Sequence, residues 1–463
     1  MAIPERKQKA EEIASQIKLN VSESTKLGAG SKSSMWFYPG EVLEDGEMRV
    51  TLMGTGWGNV VGPSQKGPSI FVELGNENKD SFVFDVGPGC ILNYNAMGIP
   101  MSRMNHIFIS HLHMDHCSDL PFIYAFGPNL GDRFKELHIY GPSGPTVYGE
   151  NKKTGTTLGI KNMVEGMKQF TQWHTTSFET MTYGAKQSYN LDNNVHEFDY
   201  RECGGTVYGS DKRKGKEDHV VIKHFPALHI IDGAVSYRLE WTPKGQDEPI
   251  VLVYSGDTLP NDFMLEYGAG ADLLVHETAP SIELVMNGAN ATPAEAFAIV
   301  CNSHTPANSL GSIIQKTKPG LAITTHSPMD PRSIETLIMG VHEGFNTANA
   351  KSDETIKEKL AYKLNYQVGA DLMVFNVSKP AKDELSITKR MAASVDRPWP
   401  VREKVNTSEN IMSDEGVKHY QNGISTEAPF KLKGRIFEKL NEAPQCAIYN
   451  KSQENESDDE NTF

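Results

Sequence analysis

Short apolar runs broken by glycine and polar turns dominate residues 48–140 and 219–378. MRVTLMGTG from Met48, SIFVEL (69–74) and SFVFDVG (81–87) read as strands, with the polar turn GNENKD between the last two. ILNYNAMGI (91–99) fits a helix, and HIFIS (106–110) a buried strand. The strand pattern returns at HVVIKHFPALHI (219–230), AVSYRLEW (234–241), IVLVYSGDT (250–258) and ADLLVHET (271–278). It continues at LAITTHSP (321–328) and DLMVFNVS (371–378). TPAEAFAIVCNSH (292–304) and NSLGSIIQKT (308–317) have helical spacing. Strands and helices interleave, so the fold class is mixed α/β.

Three segments fall outside this pattern. Residues 1–47 are polar and form an N-terminal extension, with one short helix predicted from Glu11 to Lys18. Between about 141 and 218 apolar density drops, which predicts a lid-like insertion of loops with a helix around 160–173. Its rings, Trp173, His174, Phe178, Tyr183 and Tyr189, suit closure over a small organic substrate, the lid's own core or a dimer contact. Residues 379–463 form a C-terminal extension ending in KSQENESDDENTF, an acidic segment predicted to be disordered. The main domain is therefore placed at 48–378.

Composition narrows the function classes. The chain has 463 residues, 38% hydrophobic and 22% charged, which rules out a mostly disordered chain or a disulfide-stapled miniprotein. Lys plus Arg is 45 against 59 Asp plus Glu, a net charge of −14. Such a balance repels phosphate backbones on average, so nucleic acid is not the expected partner. Five scattered cysteines form no CxxC pair, and no apolar run suits a signal or a membrane span. These features predict a cytoplasmic protein with no membrane partner.

The chemistry concentrates in His111-Leu-His113-Met-Asp115-His116, directly after HIFIS. Three imidazoles and a carboxylate within six residues can turn toward one point as the chain leaves strand geometry. Such mixed nitrogen and oxygen ligands suit zinc, iron or manganese without selecting sharply among them; zinc is the metal expected, with manganese and iron as alternatives. Further ligand types stand where later strands end: Asp257 after VLVYSG and His326 after LAITT. His224 and His229 compete for a place between them, with His229 preferred. GTGWG (54–58) reads as a tight turn near the metal edge, and Cys117 as a small buried side chain.

In this order HLHMDH, His229, SGD with Asp257 and TTH with His326 resemble the ligand motifs of the metallo-β-lactamase fold superfamily. The resemblance implies a four-layer αββα sandwich over about 48–378. It also implies two metal ions, one held by His111, His113 and His229 and one by Asp115, His116 and His326, with Asp257 bridging. LMGTG with GPSIFVELG, then FDVGPG, NHIFISHLHMDH and LLVHETA, is similar to the tRNA 3′-processing endonucleases and the arylsulfatase-like hydrolases beside them. By that similarity His276-Glu277 and Ser303-His304-Thr305 supply an auxiliary pair. His304 would protonate the leaving oxygen, Glu277 would orient it, and Asp115 would serve as a base. The basic, glycine-rich arm of the tRNA enzymes has no recognisable counterpart.

These features lead to an expected binuclear metallo-hydrolase acting on a small-molecule phosphate ester, sulfate ester or lactone, with a homo-oligomer among the expected assemblies. An RNA-processing endonuclease and a di-iron redox enzyme on the same fold are the alternatives.

Overall fold

The computed structural model describes residues 36–37, 41–58, 62–128, 135–148, 155–179, 189–381 and 384–392. The first half of the chain gives β1 (Trp36–Phe37), β2 (Glu47–Gly54), β3 (Ser69–Leu74), β4 (Ser81–Phe84), α1 (Cys90–Met97) and β5 (His106–Phe108). Next come α2 (Met114–Cys117), α3 (Leu120–Phe126), β6 (His138–Pro142), β7 (Thr146–Tyr148), β8 (Gly155–Thr157), α4 (Ile160–Glu179) and β9 (Val195–Phe198). The second half gives β10 (Gly205–Gly209), β11 (His219–Pro226), β12 (Val235–Thr242), β13 (Ile250–Tyr254), α5 (Asp262–Gly268) and β14 (Leu273–Glu277). It continues through α6 (Ile282–Ala289), α7 (Pro293–Asn302), α8 (Ala307–Thr317), β15 (Leu321–Thr325), α9 (Pro331–Lys351) and α10 (Ile356–Ala361). The last strands are β16 (Tyr366–Val368), β17 (Met373–Ala381) and β18 (Glu384–Ala392).

β2, β13, β14 and β15 are buried at every position, so both faces of each strand are covered. A nine-stranded sheet in the order β1-β18-β17-β2-β3-β4-β5-β6-β9 faces a seven-stranded sheet running β10 to β16. Between them lies a core including Val50, Phe84, Phe108, Tyr237, Leu239, Trp241 and Phe375. Outside the first sheet α1 and α3 bury Tyr94, Leu120 and Ile123. Outside the second, α5, α8 and α9 bury Met264, Leu310 and Val341. This is the four-layer αββα sandwich of the metallo-β-lactamase fold.

Each sheet is half antiparallel and half parallel. The meander β2-β3-β4 passes into the parallel strands β4-β5-β6, and β11-β12-β13 into β13-β14-β15-β16. The loops leaving β4, β5, β13, β14 and β15 thus emerge at strand C-terminal ends, where open α/β sheets place their ligands.

Several elements differ from expectation. β1 and β18 pair in parallel at the sheet edge, so the sheet reaches beyond the 48–378 span at both ends. β18 mixes Glu384, Lys389 and Arg390 with polar Ser386 and Thr388, which hides a strand in the sequence. α9, a helix of 21 residues, lacks a simple apolar run that would mark it in the sequence. Its Leu337, Val341 and Phe345 face inward at four-residue spacing, and Asp330 caps its start. α8 and α9 approach so closely that a Cβ at Gly344 would lie 1.8 Å from the Asn308 carbonyl oxygen.

The insertion is more regular than loops. It holds the exposed ribbon β7–β8, the 20-residue α4 and the strands β9 and β10. Tyr189 is buried beside Tyr124, so it serves as core. The last part of α4, with Trp173, His174 and Phe178, falls in a second unit of the chain. Tyr183, the Glu11–Lys18 helix and the acidic segment 451–463 lie outside the described residues. No helix among the described residues is long and apolar enough to cross a membrane.

Leu239 is 1% exposed in the inter-sheet core. Leu239→Ala should destabilise the protein by about 2–5 kcal/mol, read as a lower denaturant midpoint.

Candidate metal centre

HIFIS leaves the sheet as β5, and the chain turns at once into the one-turn helix α2. Val86 N–H donates to the His116 carbonyl at 2.7 Å, and Asp119 N–H to the Val86 carbonyl at 3.0 Å, pinning this turn to the loop after β4. A Cβ at Gly87 would lie 2.1 Å from the Asp115 carbonyl oxygen, so only glycine allows the approach.

Two clusters form around Asp257. In the first, His111 Nε2 lies 3.0 Å from His113 Nδ1, which lies 3.1 Å from His229 Nε2. Asp257 Oδ2 is 3.8 Å from both His111 and His229. In the second, His326 Nε2 is 3.2 Å from Asp115 Oδ2 and 3.4 Å from Asp257 Oδ2, and His116 Nε2 is 3.2 Å from Asp257 Oδ1. Each set of four offers ligand atoms within 4.8 Å of one another. Asp257 is 2% exposed, and its Oδ1 and the His116 Nε2 have no hydrogen-bond partner. Buried polar atoms are normally satisfied, so this donor set fits a cation.

The outer faces of His111, His116 and His229 are fixed. Asp85, fully buried, accepts from Ser110 N–H at 2.7 Å, Ser110 Oγ–H at 2.7 Å and Tyr254 O–H at 2.8 Å. His116 Nδ1 lies 2.7 Å from it, and Ser110 Oγ lies 3.1 Å from His111 Nδ1. His229 Nδ1 sits 2.6 Å from the Ser303 carbonyl. These contacts hold the rings in place with Nε2 of each aimed at Asp257. Sequence reasoning missed Asp85 and Ser110. Asp85 does stand in FDVGPG at a strand end, and its φ of 56° marks a demanding backbone position.

Electrostatics follow from burial. Burial holds the His111, His113 and His229 imidazoles below their ordinary range, which favours the neutral form that binds metals. Burial would lower His116 too, but the Asp257 and Asp85 carboxylates lift it well above. Asp257 resists the upward push of burial because His116 and His326 hold it well below the carboxylate range.

Beside the second cluster, His304 Nδ1 is 3.3 Å from Glu277 Oε1 and 3.8 Å from Asp257 Oδ2. Glu277 Oε1 also accepts from Thr258 and Thr305 N–H at 2.9 and 3.2 Å. Burial would depress His304, but the Glu277 carboxylate raises it to about 9. His276 points elsewhere, with its Nδ1 2.6 Å from the Glu277 carbonyl. His224 is buried against Phe198 at 4.1 Å and is absent from both clusters. Cys117 Sγ donates to the His113 carbonyl at 3.1 Å, and burial pushes its thiol up to about 12, which suits packing and not attack.

No family model matches the chain. A ribonuclease Z of Pyrococcus furiosus is 30% identical over 235 residues, covering 50% of this chain and 74% of that protein. The chain belongs to the ribonuclease Z family. A ribonuclease Z of Staphylococcus carnosus is 28% identical over 238 residues, covering 50% and 76%. Among solved structures, the short form of human tRNase Z is 15% identical with a TM-score of 0.43, covering 70% of this chain and 98% of that one. The metallo-β-lactamase fold protein YhfI of Bacillus subtilis is 16% identical with a TM-score of 0.40, covering 71% and 99%.

Membership in the ribonuclease Z family overturns two expectations. The small-molecule ester reading fails, and so does the expectation that nucleic acid is not a partner. The misleading quantity was net charge, a sum blind to position. Four of the 14 net negative charges sit in residues 451–463 alone. Whole-chain charge reports average repulsion, while binding depends on the local field.

Asp85→Asn keeps the shape but removes the acceptor charge behind His116. It should weaken metal binding about 10–100-fold, measured by chelator competition, with the fold retained in circular dichroism.

Proposed function

We propose that this ribonuclease Z family member is a metal-dependent endoribonuclease that removes 3′ extensions from tRNA precursors. The observation that carries it is the meeting of two ligand clusters at Asp257, beside Glu277 and His304, in a chain of this family. His111, His113 and His229 would hold one ion, and Asp115, His116 and His326 the other, with Asp257 shared. Zinc is the first choice for an imidazole and carboxylate set, with manganese next. Bound there, the ions supply Lewis acidity that activates water and neutralises charge developing on the phosphate.

The protein's own groups divide the remaining work. Asp115 is the most exposed carboxylate of the set, with 17% of its side chain accessible, so it can take a proton from the attacking water. Water adds to phosphorus, and the bond to the ribose 3′ oxygen breaks. His304, held protonated by Glu277, donates its proton to that oxygen. The products are a tRNA with a 3′ hydroxyl and a trailer with a 5′ phosphate. Buried Glu277 keeps His304 on line through a charge-assisted contact.

The full chain, loaded with zinc or manganese, should cut a 3′-extended tRNA precursor at one position and leave a 3′ hydroxyl. His304→Ala should lower kcat by about 10²–10⁴-fold with metal content unchanged. A protein holding two ions per chain that cuts no RNA would overturn the proposal.

A further inference from the structure

Among the proposed ligands, His326 has an unusual backbone. Its φ is 59°, the left-handed region that a side chain enters only when its surroundings hold it there. What holds it comes from the far end of the chain, the loop that follows β2.

Gln65 in that loop is 7% exposed and grips the turn after His326 from two sides. Its Nε2 donates to the Ser327 carbonyl at 2.6 Å, and its Oε1 accepts from Met329 N–H at 3.3 Å. Ser327 N–H donates to the Thr55 carbonyl at 3.2 Å. Gln65 Nε2 also lies 3.3 Å from Thr55 Oγ1 as donor, which fixes the plane of the amide. One side chain thus satisfies a carbonyl and an amide of the same turn, as a neighbouring strand would.

The loop is itself anchored. Asp371 accepts from Thr55 N–H at 2.9 Å, Thr55 Oγ–H at 2.8 Å, Lys66 N–H at 2.8 Å and Asn93 Nδ2–H at 2.8 Å. Thr55 and Lys66 bracket the segment bearing Gln65. Asn93 lies in α1 and also donates to the Met53 carbonyl at 2.7 Å. The brace therefore runs from α1 and the start of β17, through Asp371 and the loop, to Gln65 and the His326 turn.

We propose that Gln65 is a positioning residue for the second metal site, holding His326 in its left-handed conformation so that Nε2 reaches the ion shared with Asp115 and Asp257. The inference rests on His326 being a ligand of that ion, as in the function proposed above.

The test uses the full chain and measures stepwise zinc release against a chromophoric chelator. Gln65→Leu should weaken one of the two ions about 10–100-fold and leave the other at wild-type affinity. Gln65→Glu, of the same shape, should weaken it similarly. Its carboxylate has no proton to donate to the Ser327 carbonyl, whereas a residue that only fills space would tolerate the change. In a His326→Ala background, Gln65→Leu should add nothing, since the two would act through one site. Thermal unfolding of the metal-free proteins separates a fold defect from a site defect. Unchanged affinity for both ions in Gln65→Leu overturns the role of Gln65 while leaving the metal site standing. Equal loss of both ions, or a metal-free midpoint that falls with them, also overturns it. A wild-type chain binding fewer than two ions overturns both this inference and the ligand assignment beneath it.

Discussion

A fully enclosed carboxylate, Asp257, sets the terms for everything around it. It lies in the loop just after β13, 2% exposed, with five imidazoles within 4 Å. An isolated charge there would be expelled or neutralised. The fold instead surrounds it with groups that accept positive charge only at one focus. Burial holds His111, His113 and His229 below the ordinary imidazole range, which favours the form that offers a lone pair. His116 and His326 stand against the Asp115 and Asp257 carboxylates. One buried charge thereby dictates where five histidines must point.

The architecture meets that demand through strand ends. Parallel strands of both sheets release their loops at the same edge, so residues far apart in sequence become neighbours without long excursions. Close backbone packing completes the geometry. Gly87 lets one loop lie against the Asp115 carbonyl, while Asp85 behind it gathers Ser110, Tyr254 and His116 into one hydrogen-bonded knot. The auxiliary pair is built on the same edge. Glu277 ends β14, and His304 follows α7, so the proposed proton donor is set by elements outside the proposed ligand loops.

Much of this site was legible from the chain because its parts are chemically dense or sit at recognisable strand ends. HLHMDH needs no tertiary information to stand out, and Asp257 and His326 each close an apolar run. The fold's central strands were equally plain, since β13 is apolar throughout and β14 and β15 open on apolar runs. Other parts were hidden for physical reasons. Asp85 looks like any aspartate after a strand until Ser110, His116 and Tyr254 close on its carboxylate with four contacts. Gln65 lies in a polar loop whose meaning depends on a turn more than 260 residues away. α9 buries only one residue in four along its length, too sparse for a run of apolar letters. The substrate was misjudged for a different reason: net charge counts residues wherever they lie, and RNA meets only the local surface.

Metal stoichiometry paired with thermal unfolding tests the account most directly. Elemental analysis of the full chain, purified under metal-replete conditions, should find about two zinc or manganese ions per chain. Stripping them with a chelator should lower the unfolding midpoint, because Asp257 and its histidines lose their counter-charge. Fewer than one ion per chain, with a midpoint indifferent to the chelator, would contradict it. In that case the buried carboxylate and its histidines would stabilise one another without a metal.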